Sequence, residues 1–155
     1  MRVRSLLDKA LQGVCVLLML GLAVMVLAAV LLRTIGKSPL WYDEVAAIWL
    51  VWLTFFAATL VTLRRAHLGF DGAIKIMAPP LRRMLFVVAE AASLIFYAAA
   101  AVYGWRVLDI IAGETLISLP WLGYEVVQGV IPVTAALMFI SQLLSAPDAW
   151  RRLNE

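Results

Sequence analysis

Glu90 is an acidic residue inside a long apolar stretch, from about Met84 to Val102, and is the first candidate for chemistry. A carboxylate in a membrane either binds a proton or a sodium ion, or pairs with a polar group on another helix. Glu90 lies only about two helical turns from Arg83, so we expect a shallow position. An ion relay usually needs several polar groups, and the other long apolar stretches carry no charge. The sequence therefore favours an ion pair or hydrogen bond to a neighbouring helix or subunit, with an ion ligand as the alternative.

His67 and Asp71 are four residues apart, a spacing that places two metal ligands on one face of a helix. Two ligands do not make a metal site, and His67 is the single histidine of the chain, which excludes a bis-histidine haem anchor within it. The single cysteine, Cys15, excludes an intramolecular disulfide and a CxxC redox motif. No nucleophile, base and orienting group cluster in the sequence. We therefore expect no metal, no cofactor and no enzymatic activity.

The composition defines the kind of protein that must position these residues. Of the 155 residues, 65% are hydrophobic and 15% are charged, and the mean hydropathy is +0.96. Soluble domains have about 45–50% apolar and about 25% charged residues. This composition excludes a water-soluble globular fold. It also excludes a disordered chain, which has low hydrophobicity and high net charge.

Four apolar stretches are long enough to cross a membrane as helices. A spanning helix needs about 20 mostly apolar residues, whereas a spanning strand alternates apolar and polar residues. These stretches are apolar on all sides, which indicates helices. The sequence thus predicts an all-α integral membrane protein, with one four-helix domain over residues 1–155 and spans at about 10–32, 45–63, 84–102 and 126–144.

The lysines and arginines between the spans predict the orientation. Ten of them lie in the N-terminal tail, the second loop and the C-terminal tail, and three lie in the first and third loops. Basic residues favour the cytoplasmic side of a membrane. We therefore expect both termini to be cytoplasmic.

The second loop has the pattern of a short interfacial helix. Phe70, Ile74 and Met77 share an apolar face, with Asp71 and Lys75 opposite. Such a helix lies in the headgroup layer of the membrane. Arginine pairs flank it and can meet anionic lipids, and two prolines end it.

The second span has one bulky face and one face of smaller residues. In a bilayer, small residues let helix backbones approach closely, so we expect the smaller face to pack within the bundle. The bulky face then meets lipid or a partner protein. The bulky face comprises Trp49, Trp52, Phe56, Leu60 and Leu63, and the smaller one Ala47, Val51, Thr54, Ala58 and Thr62.

Several short motifs occur in a characteristic order along the chain. After Arg33 they are Trp41-Tyr42-Asp43-Glu44, Trp52-Leu53-Thr54-Phe55, Arg64-Arg65-Ala66-His67 with Asp71 following, and Leu119-Pro120-Trp121. This order resembles the small membrane subunit of tripartite ATP-independent periplasmic (TRAP) transporters, over about Leu6 to Leu144. The chain departs from that pattern at Ala57, often glycine in the family, and near Ala47, where the family often has a basic residue.

The resemblance implies a function that the composition does not show. In such transporters a periplasmic binding protein captures a solute, usually an organic acid, and a large membrane subunit moves it inward with sodium. The small subunit is a fixed collar for that large subunit in the bacterial inner membrane and has no substrate site of its own. The resemblance implies that the matched residues have structural or subunit-interface roles. They are Trp41, Asp43, Glu44, Trp52, Arg64, Arg65, His67 and Asp71, and Glu90 joins them as a structural candidate.

Two other functions compete with this interpretation. A self-sufficient small four-helix transporter, working as a homo-oligomer, needs an acid deep in the membrane, and only Glu90 is available. A membrane anchor for a redox enzyme needs haem ligands or a quinone pocket, and the haem ligands are missing.

Overall fold

The computed structural model describes residues 2–37, 41–65 and 79–153. In these ranges the chain forms five helices: α1 Arg2–Thr34, α2 Tyr42–Arg64, α3 Pro79–Ile110, α4 Tyr124–Gln128 and α5 Val130–Leu153. Helices α1, α2 and α3 are each long and apolar enough to cross a membrane. So is the segment Tyr124–Trp150, which comprises α4 and most of α5. The prediction of an all-α protein with four transmembrane helices is confirmed. The first three helices extend beyond the predicted spans at both ends, whereas the fourth span is interrupted at Gly129, between α4 and α5.

The two ends of α2 are explained by the residues at its first turn and at its C-terminal cap. Asp43 and Glu44 lie in the first turn of α2, where negative charge complements the helix dipole. At its other end Arg65 adopts a left-handed conformation, with φ 54° and ψ 35°, and its N–H donates to the Thr62 carbonyl. This conformation ends a helix and is uncommon for a residue other than glycine.

The two prolines after the second loop form the first turn of α3. Their missing N–H groups cost nothing there, because the first turn has no helical acceptors for them. The interfacial helix predicted over Phe70, Ile74 and Met77 lies outside the described residues.

The spans lie in a row in the order α1, α2, α5, α3. The α2 helix packs against α1 on one side and α5 on the other, and α3 packs against α5. The fully buried positions are small or polar side chains on α2 and α5, with Leu63 as the single large one in the described segments: Thr59, Thr62, Leu63, Thr134, Ser141 and Ser145. The threonine hydroxyls donate to carbonyls of their own helices, so these polar groups do not need water.

The prediction for the faces of α2 is wrong at positions along the whole helix, since Leu63 of the bulky face is also fully buried. The side chains of Ala47, Val51 and Thr54 are exposed, whereas Trp49 is half-buried against α1. The reason is that the small residue at this contact is on the partner helix. A Cβ atom on Gly21 of α1 would collide with the Trp49 ring, so the glycine lets a large side chain lie directly on the α1 backbone.

The loop between α3 and α4 is ordered by backbone hydrogen bonds. The Leu116 N–H donates to the Leu122 carbonyl over 3.1 Å, and the Tyr124 N–H donates to the Glu114 carbonyl over 3.0 Å. The Leu116 side chain is buried beneath them. The loop therefore forms a compact cap over one end of the helix row.

Candidate functional site

Charged side chains from all four spans meet at one end of the molecule, which we call the ion-pair end. Ion pairs of described residues there include Arg4 with Asp148, Arg64 with Asp8, and Arg65 with Glu90. The opposite end carries the loop between α3 and α4 and is called the loop end. The two ends contain most of the residues that the sequence singled out.

The Arg65 side chain joins three helices. Its guanidinium donates two hydrogen bonds to the Glu90 carboxylate, one of them 2.7 Å long. It also donates to the Ser145 hydroxyl over 2.7 Å and to the Gln142 carbonyl over 3.2 Å. The side chains of Arg65 and Glu90 are 21% and 14% exposed. Two parallel N–H···O bonds to one carboxylate are the strongest geometry available to arginine, so this contact holds α2, α3 and α5 together.

Both oxygens of the Glu90 carboxylate accept hydrogen bonds from Arg65. The structure thus places Glu90 in an ion pair with a neighbouring helix. A sodium ion at this carboxylate would have to compete with a guanidinium already in place.

Arg64 and Arg4 connect α1 to the rest of the row. The Arg64 guanidinium contacts both oxygens of Asp8, over 2.6 and 2.9 Å, and this pair is more exposed than the Arg65 pair. Arg4 donates to Asp148 on α5 and to the Leu63 carbonyl at the end of α2. The N-terminal turns of α1 are therefore fixed by charge as well as by apolar packing.

At the loop end, two of the predicted residues make contacts that order the backbone. Glu44 accepts a hydrogen bond from the Ser118 N–H over 3.0 Å, which joins the first turn of α2 to the loop. The Trp52 ring N–H donates to the Val127 carbonyl over 3.0 Å, which joins α2 to α4. Trp41 and Asp43 are exposed beside them.

The structure brings together some of the predicted residues and adds others. Arg65 and Glu90 meet directly, whereas His67 and Asp71 lie outside the described residues. The sequence alone did not indicate the partners Arg4, Asp8, Ser145 and Asp148. Asp8 could have been found as the only acidic residue of the basic N-terminal tail, but its partner depends on how α1 packs.

The described segments contain no group of three or more His, Cys, Asp or Glu side chains that could hold a metal ion. Cys15 is a half-buried free thiol on α1. The arrangement at both ends supports helix packing, and no described cluster combines a nucleophile with a base.

Comparison with known families agrees with the membrane architecture. A family model described as "Tripartite ATP-independent periplasmic transporters, DctQ component" matches residues 22–152. The match extends from the middle of α1 almost to the end of α5. A search of curated proteins found no match.

Proposed function

The chain belongs to the DctQ component family of tripartite ATP-independent periplasmic transporters, and from that membership we propose that it scaffolds the large membrane subunit. It is a multi-pass membrane protein and a transporter component. The proposal adds that the chain steadies the large subunit and has no substrate site of its own.

The ion-pair end is the observation that carries this proposal. Six charged side chains at that end are engaged with one another in pairs. The cavities beside α1 and between α3 and α5 are lined mainly by apolar side chains, unlike the polar midplane sites that transporters use. Because the arginines at the ion-pair end connect the helices to one another, they favour a rigid helix bundle. A rigid bundle suits a scaffold subunit better than a transporter that changes conformation.

The exposed helix surfaces also support a scaffold. The most apolar part of α3 has no buried residue, and large apolar side chains such as Ile95 and Phe96 are more than 60% exposed. In a membrane these surfaces can face lipid or another transmembrane subunit. We propose that the large subunit covers part of them.

The remaining parts of the proposal rest on the family. The transporter takes up organic acids in symport with sodium across the bacterial cytoplasmic membrane, and a periplasmic binding protein delivers the solute. The ion-pair end faces the cytoplasm, because the tails and the second loop on its side hold most of the lysines and arginines of the sequence. The loop end then faces the binding protein.

Reconstitution into vesicles tests the proposal. The large subunit, the binding protein and this chain are combined, and uptake of a panel of radiolabelled organic acids is measured with and without a sodium gradient. We expect sodium-driven uptake when all three are present, and little uptake when this chain is omitted.

The same vesicles distinguish the competing transporter. If vesicles containing this chain alone accumulate solute, and Glu90→Gln abolishes that uptake, the chain is a self-sufficient carrier and the scaffold proposal is wrong. Sodium-driven uptake by the large subunit and binding protein without this chain would also contradict it.

A further inference from the structure

An open groove runs along the membrane-facing side of α1 and α2. It has a volume of about 930 Å³ and extends along α1 from Lys9 to Met25, with Trp49 of α2 as its other wall. At 1.5 Å per residue this part of α1 is about 24 Å long. A second cavity of about 460 Å³ adjoins the groove and shares Lys9, Gly13 and Leu17 with it.

Two glycines shape this groove. Gly21 lets the Trp49 ring lie on the α1 backbone, and a Cβ atom on Gly13 would have nothing within 4 Å. Gly13 therefore leaves a gap in the surface of α1 that no neighbouring side chain fills. The rest of the lining is mainly aliphatic, and Leu17 is 69% exposed. The length and the apolar lining of the groove suit an extended hydrocarbon chain.

The polar end of the groove lies at the depth of lipid headgroups. Lys9 and Gln12 line it there, and Gln12 contacts Arg64, the last residue of α2. Within the described part of the chain, the Lys9 ammonium has no hydrogen bond or ion pair. Its neighbour Asp8 is neutralised by Arg64. The polar end of the groove therefore carries the positive charge of Lys9, next to the apolar part of the groove.

We propose that this groove binds an anionic phospholipid. The phosphate accepts hydrogen bonds from the Lys9 ammonium and the Gln12 amide NH₂, and one acyl chain lies along Gly13 and Leu17 beneath Trp49. The matching cavity between α3 and α5 is a weaker candidate, because its basic residue, Arg106, is stacked on the Tyr103 ring at 5.6 Å. This inference needs only the membrane location of the chain and does not depend on the scaffold role.

Native mass spectrometry of the full chain in mild detergent tests the site with phosphatidylglycerol and phosphatidylcholine as probes. We expect the wild-type chain to bind phosphatidylglycerol about fivefold more tightly, the factor that one basic side chain contributes near anionic phosphate. Lys9→Gln removes this preference. Lys37→Gln, at the other end of α1, is the matched control and leaves it unchanged.

Filling the groove is the second arm of the test. Gly13→Leu places a side chain in the open gap and lowers the retention of both lipids, whereas Ala28→Leu adds the same side chain on α1 outside the groove and has no effect. The proposal is wrong if the wild-type chain binds the two lipids equally. It is also wrong if Lys9→Gln or Gly13→Leu binds them as the wild-type chain does. Release of a co-purified large subunit by Gly13→Leu overturns it too, because the groove would then hold a protein helix.

Discussion

Arg64 and Arg65 are adjacent arginines with different partners. The α2 helix ends at Arg64, and the left-handed backbone of Arg65 turns the chain away from the helix axis. Arg64 therefore reaches Asp8 on α1, while Arg65 reaches Glu90 on α3 and Ser145 on α5. A single change in backbone conformation thus lets two identical side chains hold opposite sides of the helix row.

Removing one partner of the Arg65–Glu90 pair destabilises the protein. Glu90→Gln leaves a largely buried guanidinium without its counter-charge, and we expect a loss of about 1–3 kcal/mol, since an unpaired charge is costly where water is scarce. Thermal unfolding in detergent measures this loss. Glu114→Gln, which neutralises an exposed acid in the loop, is the control and leaves the unfolding temperature unchanged.

A double-mutant cycle separates the pair from an ion site. If the Arg65–Glu90 contact carries the effect, then Arg65→Gln combined with Glu90→Gln costs less than the sum of the two single changes. Additive losses, or a stability that rises with sodium in wild type and not in Glu90→Gln, would favour an ion ligand instead.

The exposed pair at the same end contributes less. The side chains of Arg64 and Asp8 are 45% and 29% exposed, and pairs accessible to water contribute about 0–1 kcal/mol. We therefore expect Arg64→Gln to lower the unfolding temperature less than Arg65→Gln does. We also expect its effect to fade in high salt, which screens exposed charges. An equal or larger loss for Arg64→Gln would show that the ranking by burial is wrong.

At the scale of the elements, the number of membrane spans and their helical type were predictable, whereas the helix that each span packs against was not. Long apolar stretches specify spanning helices directly, because the membrane fixes the length that a helix needs. The faces of α2 were assigned wrongly, since the size of a side chain does not reveal whether the neighbouring helix offers space. That space comes from Gly21, 28 residues before Trp49 in the sequence. Likewise, the pairing of Glu90 was expected, but its partner Arg65 depends on a left-handed helix end.

The two glycines of α1 give a matched pair of substitutions for this packing. Gly21→Ala places a methyl group against the Trp49 ring, and we expect it to cost about 1–3 kcal/mol through overpacking. Gly13→Ala adds the same group on the same helix where nothing lies within 4 Å, so it leaves stability unchanged or raises it slightly. Thermal unfolding of the two variants side by side measures the difference. Equal effects would mean that α1 does not approach α2 as closely as the structure shows.

At the scale of the whole molecule, the four spans form a row, and polar interactions connect the helices at both ends of the row. Ion pairs connect all four spans at the ion-pair end. At the loop end, Glu44 and Trp52 of α2 bind backbone groups of the loop and α4. Between these ends the fully buried positions of α2 and α5 are mainly small side chains, and large apolar side chains on the outer surfaces are exposed. A row of this kind has two broad apolar sides, which suits a subunit that borders both lipid and a larger protein.

The orientation of this row follows from its charges. All three basic segments adjoin the ion-pair end, where Arg4, Arg64 and Asp148 lie, so the positive-inside tendency of lysine and arginine predicts a cytoplasmic location for it. Cysteine labelling in intact cells tests this in a Cys15→Ser background. We expect a membrane-impermeant maleimide to label Ser118→Cys, at the loop end, without permeabilisation.

The matched variant for this experiment is Ser5→Cys, which is also exposed but lies at the ion-pair end. We expect it to react only after the membrane is permeabilised. The reverse pattern would place the loop end in the cytoplasm, where a periplasmic binding protein cannot reach it. The loop ordered by Glu44 and Leu116 would then have to serve only helix packing. The expected pattern instead places that ordered loop on the side of the membrane from which the proposed binding protein approaches, since the ion-pair end is then on the other side.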